Sequence, residues 1–188
     1  MKIILKGKRI ILMHLEPSMH NAELVYEVLM QNKKYLLPWM QWLNNSKSVK
    51  DTHNFLILSD KKWDNDDAFE YAIVLNDTII GMCGAVEVDS GNKKVALGYW
   101  LANDYRDNGY VMESVRVLEQ ELFKNGFNKI IIHNDVRNKN SVNVAKKLGY
   151  ELEAVLKQDR WLKYENRFRD TNCFAKFKNK KGMYSKTP

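Results

Sequence analysis

The sequence predicts an α/β fold: one mixed, mostly antiparallel twisted sheet of about seven strands, with about four helices. Three observations lead there. In the first half, apolar runs follow one another across tight polar turns, as antiparallel neighbours do. In the second half they alternate with amphipathic stretches, the βαβα order that lays strands parallel. Finally, 188 residues with 45% hydrophobic and 28% charged side chains suffice for a buried core and are ordinary for a folded chain.

The elements follow in chain order. "RIILMHL" (9–15) reads as a first strand, and Glu16-Pro17-Ser18 as a helix start. Residues 18–32 then carry Leu24, Val25, Val28 and Leu29 at helical spacing. A second helix is expected over 47–63, with Val49, Phe55, Leu56 and Trp63 on or near one face. "FEYAIVL" (69–75) and "TIIGMCGAVEV" (78–88) are strands joined by Asn76-Asp77, with Thr78 where a hairpin usually has Gly. "KVALGYWLA" (94–102) follows a second turn at Asp89-Ser90-Gly91-Asn92. Then come a helix at about 110–124, a strand at 129–135 and a helix at about 140–148 stopped by Gly149. "ELEAVLKQDRWL" and "DTNCFAKFK" close the sheet as two strands. Neither a repeat nor a low-complexity linker interrupts the chain, so a single domain is expected over 1–178. A basic, flexible tail is expected over 179–188.

Charge and composition narrow the function classes. The net charge of +7, from 30 Lys and Arg against 23 Asp and Glu, favours an anionic partner such as a nucleotide cofactor, a phosphorylated substrate or RNA. Much of that excess lies in the last stretch, 176–188, with five lysines and no acid, which equally reads as a solvated tail. Nothing approaches 18 consecutive apolar residues, and the N-terminus is too short and interrupted for a signal peptide, so a cytoplasmic protein without a membrane partner is expected. Cys83 lies mid-strand in an apolar run and reads as core, and the Cys83/Cys173 pair suggests neither a metal site nor a secreted framework. His14, His20, His53 and His133 are scattered without metal spacing, so no metal is expected.

The stretch "YRDNGYVMESV" (105–115) carries the strongest chemical signal. A strand that feeds a helix through a Gly-containing loop aims backbone N–H groups and the positive end of the helix dipole at one spot, which suits phosphate. Gly109 removes a Cβ where the chain passes close to a ligand, and Arg106 adds a fork of donors. The dinucleotide fingerprint G-x-G-x-x-G is absent, and so is G-K-[ST]. Downstream, "NDVRNKNSVNVAKKLGYELE" (134–153) sets Asn138 and Ser141 just before a short amphipathic helix, where Asn138, Asn140 or Ser141 can serve as cap.

Taken together, the strand "GYWL", the loop R-x-x-G-x-x, a helix, a strand, N-x-x-S-x-x-V-A-x-x-L-G-Y and a closing strand resemble the GNAT acetyltransferases, which bind acetyl-coenzyme A. The likeness runs over about residues 8–178. "KKYLLPWMQW" (33–42) resembles the N-x-x-x-L-x-P-W segment of the Rim-type branch, which acetylates N-terminal amines of ribosomal proteins, and "KQDRWLKYENRFRD" resembles that branch's penultimate region. The resemblance implies a sheet splayed near its middle and acetyl-CoA as co-substrate. It implies that Arg106, Asp107, Asn108, Gly109, Tyr110 and Val111 form the pyrophosphate loop, with Val111 where Gly or Ala is usual and so crowding the phosphates. It places Asn138 against the pantetheine arm, Ser141 as the general acid for the leaving thiolate, and Tyr99, Trp100 and Leu101 on the splayed strand beside the thioester.

An amine that attacks a thioester needs to be neutral, the oxyanion needs donors, and the thiolate needs a proton. The resemblance would put carboxylates at two positions where this chain has Ala96 and Arg160. Asp159 adjoins the second, but a one-residue step on a strand changes faces, so no general base is named. For the acceptor, Trp39, Trp42 and Trp161 are expected to line a groove for an extended peptide, while Trp39 and Trp42 read equally well as core. The resemblance implies an N-acetyltransferase acting on a protein N-terminus. A small-molecule amine acetyltransferase, for a polyamine or an antibiotic, is the alternative within the fold. A catalytically weak acyl-CoA- or RNA-binding module is the alternative from another class, although nucleic acid is not the expected partner. A homodimer is left open.

Overall fold

A computed structural model describes residues 1–178; the expected basic tail at 179–188 lies outside the described residues. The chain runs β1 (Ile4–Lys6), β2 (Ile11–Met13), α1 (Met19–Gln31), α2 (Lys33–Leu36), a 3₁₀ turn (Gln41–Asn44), α3 (Val49–Asp64), β3 (Phe69–Leu75), β4 (Thr78–Asp89) and β5 (Lys94–Leu101). A short 3₁₀ turn (Asn103–Tyr105) leads to α4 (Tyr110–Lys124), β6 (Lys129–Asp135), α5 (Lys139–Lys147), β7 (Glu151–Leu162) and β8 (Arg167–Phe177).

The eight strands form one open sheet in the order β1-β2-β3-β4-β5-β6-β8-β7. Every neighbouring pair is antiparallel except β5–β6. Sequence reasoning expected about seven strands; the additional one is β1, three residues long. The fifth helix is α2, four residues within the stretch read only as an apolar segment.

Local chemistry explains the boundaries. Ser18 accepts a hydrogen bond from the Asn21 amide at 3.1 Å and caps α1, so Pro17 stands just outside the helix. At the start of α3 the Ser48 N–H donates to the Asp51 carboxylate at 2.9 Å. α5 ends on Gly149 at φ 79, with Tyr150 N–H donating to Ala145 O and Gly149 N–H to Lys146 O, both at 3.0 Å. That double bond pattern needs a left-handed residue, which glycine supplies without strain.

Helices cover both faces. Leu12, Tyr71, Ile73, Ile80, Leu97 and Ile130 pack with Val115, Leu118 and Leu122 of α4 on one side. Ala72, Val74, Met82 and Trp100 pack with Val25 and Leu29 of α1 and Leu56 of α3 on the other. Cys83 is fully buried in the first cluster, and burial pushes its thiol pKa far up, as a core residue requires. No helix among the described residues is long and apolar enough to cross a membrane.

Candidate active site

The ladder between β5 and β6 pairs Lys94–Leu97 with Lys129–Ile132 and then stops. Beyond it, Gly98–Leu101 stay bonded to Gly81–Gly84 of β4, while the last residues of β6 pair only with β8. The two parallel strands therefore fork. On the β6 side, the backbone groups of Tyr99, Trp100 and Leu101 are left without a ladder partner, and buried backbone polar groups call for one. A cavity of about 760 Å³ fills the fork.

Part of its lining is the start of α4. Gly109 is its N-cap residue, at φ 78, and Asp107 two residues earlier is also left-handed, at φ 61. No side chain caps this helix, so the first amides and the positive end of the dipole open toward the cavity, which Gly109, Tyr110, Val111 and Met112 line. A Cβ on Gly109 would meet nothing closer than 3.6 Å; glycine is needed there for its φ, not for space. Arg106 lines the same cavity, with its guanidinium 4.7 Å above the Tyr35 ring and one donor on Asn103 Oδ1 at 3.2 Å. Asn108 faces outward, into a neighbouring surface depression shared with Arg9.

Sequence reasoning missed Arg9, which braces this loop. Its guanidinium donates to Glu113 at 2.8 Å and to Asn108 O at 2.9 Å, and stacks 4.6 Å from the Tyr110 ring. Burial works against the charge on Glu113, but donors from Arg9 and the Ile10 amide outweigh it and hold the carboxyl below its usual range. Nothing in the local sequence links residue 9 to residue 113; only the packing of α4 beside β1 does.

Deeper in the fork, Tyr99 and Ser141 meet. Their hydroxyls are 2.9 Å apart, and Asn134 Nδ2 donates to Ser141 Oγ at 3.4 Å. Asn172 Nδ2 donates in turn to Asn134 Oδ1 at 3.0 Å, so β5, β6, α5 and β8 are tied through one polar chain. Burial raises the Tyr99 phenol pKa well above its usual range, against the opposing effect of its Ser141 bond, and keeps it protonated. The cap of α5 is Asn138, whose Oδ1 accepts the Ser141 amide at 3.2 Å. Ser141 and Asn140 are not caps, and the Ser141 hydroxyl is left for Tyr99.

The same cavity is also walled by Tyr35, Leu36, Trp39, Met40 and Trp42, with Tyr35 against Arg106. Trp39 is half-buried and Trp42 is 52% exposed, so both stand at a wall rather than inside the core. Trp161 does not line the cavity. It packs edge-on against Phe168, ring centroids 4.9 Å apart, on the exposed β7–β8 ribbon. A register shift between Leu156 and Arg160 sets the direction of that segment. Among the charged residues that line the cavity and that sequence reasoning did not single out are Glu70 of β3 and Arg169 of β8, whose Nε is buried without a hydrogen-bond partner. Burial pushes the Glu70 carboxyl up to about 7, against the attraction of Lys62. Among the described residues no cluster of three or more His, Cys, Asp or Glu stands ready for a metal.

This geometry has known counterparts. Residues 9–151 match the acetyltransferase (GNAT) domain. The chain belongs to that family. It is 27% identical over 139 residues to YdaF of Bacillus subtilis (strain 168), covering 72% of this chain and 74% of that protein. It is 25% identical over 153 residues to the ribosomal-protein-serine acetyltransferase of Escherichia coli (strain K12), covering 81% and 84%. The microcin C7 self-immunity acetyltransferase MccE, solved in complex with acetyl-CoA and AMP, superposes with a TM-score of 0.85 at 27% identity over 91% of this chain and 93% of that one. RimL, the ribosomal L7/L12 α-N-protein acetyltransferase in complex with coenzyme A, superposes with a TM-score of 0.87 at 20% identity, over 93% and 97%, and shares the fold. The chain is thus an acetyltransferase of the GNAT fold, similar to proteins of the Rim-type branch.

Proposed function

We propose that the chain transfers the acetyl group of acetyl-CoA to the N-terminal amine of a protein, a ribosomal protein being the class for which its relatives are named. The observation that carries this reading is one cavity at the β5–β6 fork that an uncapped helix start and two indoles both line. Cofactor and acceptor then share one space, as direct attack in a ternary complex requires.

Each residue has a task in this reading. The amides at Gly109–Met112, with Arg106, hold the pyrophosphate of the co-substrate, and Asp107 shapes that loop. Val111 narrows the loop but leaves its backbone donors in place. The unpaired edge of Tyr99–Leu101 takes the pantetheine arm as an added strand, with Asn138 beside it, and backbone N–H groups there stabilise the oxygen of the attacked carbonyl. Ser141, in contact with Tyr99, protonates the departing thiolate. Trp39 and Trp42 supply broad apolar surface to an extended peptide at low entropy cost. The reaction is placed in the cytoplasm, where acetyl-CoA and nascent ribosomal proteins meet.

A small amine is the second reading, favoured by the likeness to MccE, whose complex holds acetyl-CoA and AMP. A cavity of about 760 Å³ also falls within the usual size for small-molecule sites. A panel of N-terminal peptides and small amines, assayed by release of coenzyme A thiol, separates the two. Turnover of peptides above diamines or aminoglycosides supports the protein acceptor; the reverse order discards it. No turnover of any amine, with RNA bound at moderate salt, would leave a binding module in place of an enzyme.

A further inference from the structure

We propose that Glu70 is the proton acceptor for the incoming amine, working from β3 across a lane that Gly84 and Gly98 keep free of side chains. The inference rests on the N-acetyltransferase reading above.

The lane follows from the sheet register. Glu70 pairs with Gly84 across β3–β4, and Gly84 pairs with Gly98 across β4–β5. Directly opposed residues project to the same face, so the three positions form one row, and only Glu70 in that row has a side chain. A Cβ on Gly84 would collide with Glu70 Oε2 and come within 2.7 Å of its Cδ, so the carboxyl lies over Gly84 and reaches toward β5. A Cβ on Gly98 would meet nothing closer than Val86 Cγ2 at 4.0 Å, so the rest of the row is open. Strands lie ~4.8 Å apart, which puts the carboxylate about one strand spacing from Gly98. Pairing between β5 and β6 has just ended there, at Leu97–Ile132. One water with two hydrogen bonds of ~2.8 Å spans that gap.

The face is the right one. Glu70 shares it with Ala72 and Val74, which pack toward α1 and α3, on the side of the sheet that also carries Met82 and Trp100. Gly98 and Tyr99 are consecutive and therefore point to opposite faces. The proton acceptor and the Tyr99–Ser141 pair are thus separated by the backbone of β5, and a proton given up on one side is not returned directly on the other. Ala96, where the family resemblance would place a carboxylate, is two residues from Gly98 and on Glu70's face. The chain lacks that group on β5 and carries one two strands away.

The step balances. The acceptor ammonium gives one proton to Glu70, which passes it to solvent. The freed nitrogen lone pair forms the C–N bond to the thioester carbonyl carbon as the C–S bond breaks. Thiolate sulfur takes a proton from the Ser141–Tyr99 pair, Glu70 takes the second proton shed by nitrogen and passes it to solvent, and solvent restores the pair. The charged and titratable groups around Glu70 are few. Lys62 of α3 attracts its carboxylate, and His14, just after β2, approaches its backbone oxygen at 3.3 Å while bound to Asp60 of α3 at 3.1 Å. Cys83 is the next residue along β4 from Gly84, on the opposite face, and Asp51, His133 and Arg169 contribute from the cavity walls. Burial outweighs Lys62 and brings the carboxyl to about 7, suited to proton transfer at neutral pH.

The test uses the whole protein with acetyl-CoA and an acceptor that the wild type turns over. Glu70→Gln is expected to lower kcat/KM for the acceptor ~100-fold or more at pH 7, and to abolish the limb of the pH profile near 7, leaving only titration of the amine itself near pH 8. Acetyl-CoA affinity by calorimetry should stay unchanged. Gly98→Ala, which sets a methyl in the lane without a clash, should lower the rate ~10-fold with an unaltered melting temperature. A folded Glu70→Gln enzyme that keeps its rate and its limb near pH 7 overturns the role of Glu70, as does a rate loss that merely follows lost acetyl-CoA binding. Absence of thiol release from the wild type with every amine tried overturns the N-acetyltransferase reading first, and this inference with it.

Discussion

Replacing Glu70 by Gln should make the protein more stable at alkaline pH. Burial raises the Glu70 carboxyl from 4.5 to about 7, against the attraction of Lys62, so the folded state favours its protonated form. The sign follows from proton counting. Below pH 4.5 the carboxyl is protonated whether the chain is folded or not, and nothing is lost. Between 4.5 and about 7 the unfolded chain sheds the proton and the folded chain keeps it, so stability falls as pH rises. Above that window both forms are ionised and the full cost remains. At 1.36 kcal/mol per pKa unit, the cost is roughly 3 kcal/mol, or ~6–12 °C in melting temperature for a chain of this size. Gln cannot ionise and escapes it. Urea melts of wild type and Glu70→Gln, followed by circular dichroism from pH 4.5 to 8.5, should show midpoints that coincide at the acid end and separate with pH, the variant being the more stable. Parallel pH curves for the two proteins, or a variant less stable at pH 8, would refute the burial argument.

Gly109→Val should weaken acetyl-CoA binding ~10-fold or more by calorimetry, because a branched residue at φ 78 is strained and the loop must re-form away from the phosphates. Ser141→Ala should lower kcat ~10-fold or more with little change in melting temperature, whereas Asn138→Ala, which removes the α5 cap, should cost ~1 kcal/mol of stability. Trp39→Ala should raise the KM for a peptide acceptor and leave that for acetyl-CoA nearly unchanged; because Trp39 is half-buried, its stability loss should stay below the ~3–5 kcal/mol of a fully buried indole.

Where the sequence has period and punctuation, it is legible. α4 runs over Tyr110–Lys124 and β6 over Lys129–Asp135, as the spacing of their apolar residues predicts. The hairpin at Asn76-Asp77 is read correctly although Thr78 replaces glycine, because both residues adopt positive φ, at 47° and 60°, which Asn and Asp tolerate. β1 escapes notice because three residues are too few for a period to show. The stretch 33–44 is apolar but aperiodic, and Pro38 interrupts it, so a four-residue helix and a 3₁₀ turn hide inside. β8 begins at Arg167 rather than at Asp170, since charged residues at 167 and 169 mask an exposed ribbon. The site divides in the same way. Arg106, Gly109 and Ser141 are marked by local motif. Glu70, Arg9 and Arg169 come to the cavity or its loop only through strand register and helix packing, and no window of sequence contains that information.

The division also bears on the choice of acceptor under the proposed function. The family match spans 9–151 and so contains β5, the loop at Arg106–Val111, and the Asn138–Ser141 cap of α5. β7 and β8 lie almost wholly outside it, and Arg169 reaches the cavity from β8. Burial disfavours the charge of Arg169, the neighbouring Arg160 adds repulsion, and only the pull of Asp135 and Asp159 partly offsets them. Its Nε lacks a hydrogen-bond partner, which leaves a buried donor unsatisfied. Asp135, the nearest buried acid, is already held by Arg137 at 2.9 Å. Carbonyls or an anion brought in with the substrate would add to the partial balance that Asp135 and Asp159 supply. An extended peptide presents such carbonyls along its backbone, and a polycationic amine would add to the repulsion. Within the proposed function, Arg169 thus weighs for a peptide over a polyamine, through a residue on the part of the chain that the family match does not cover.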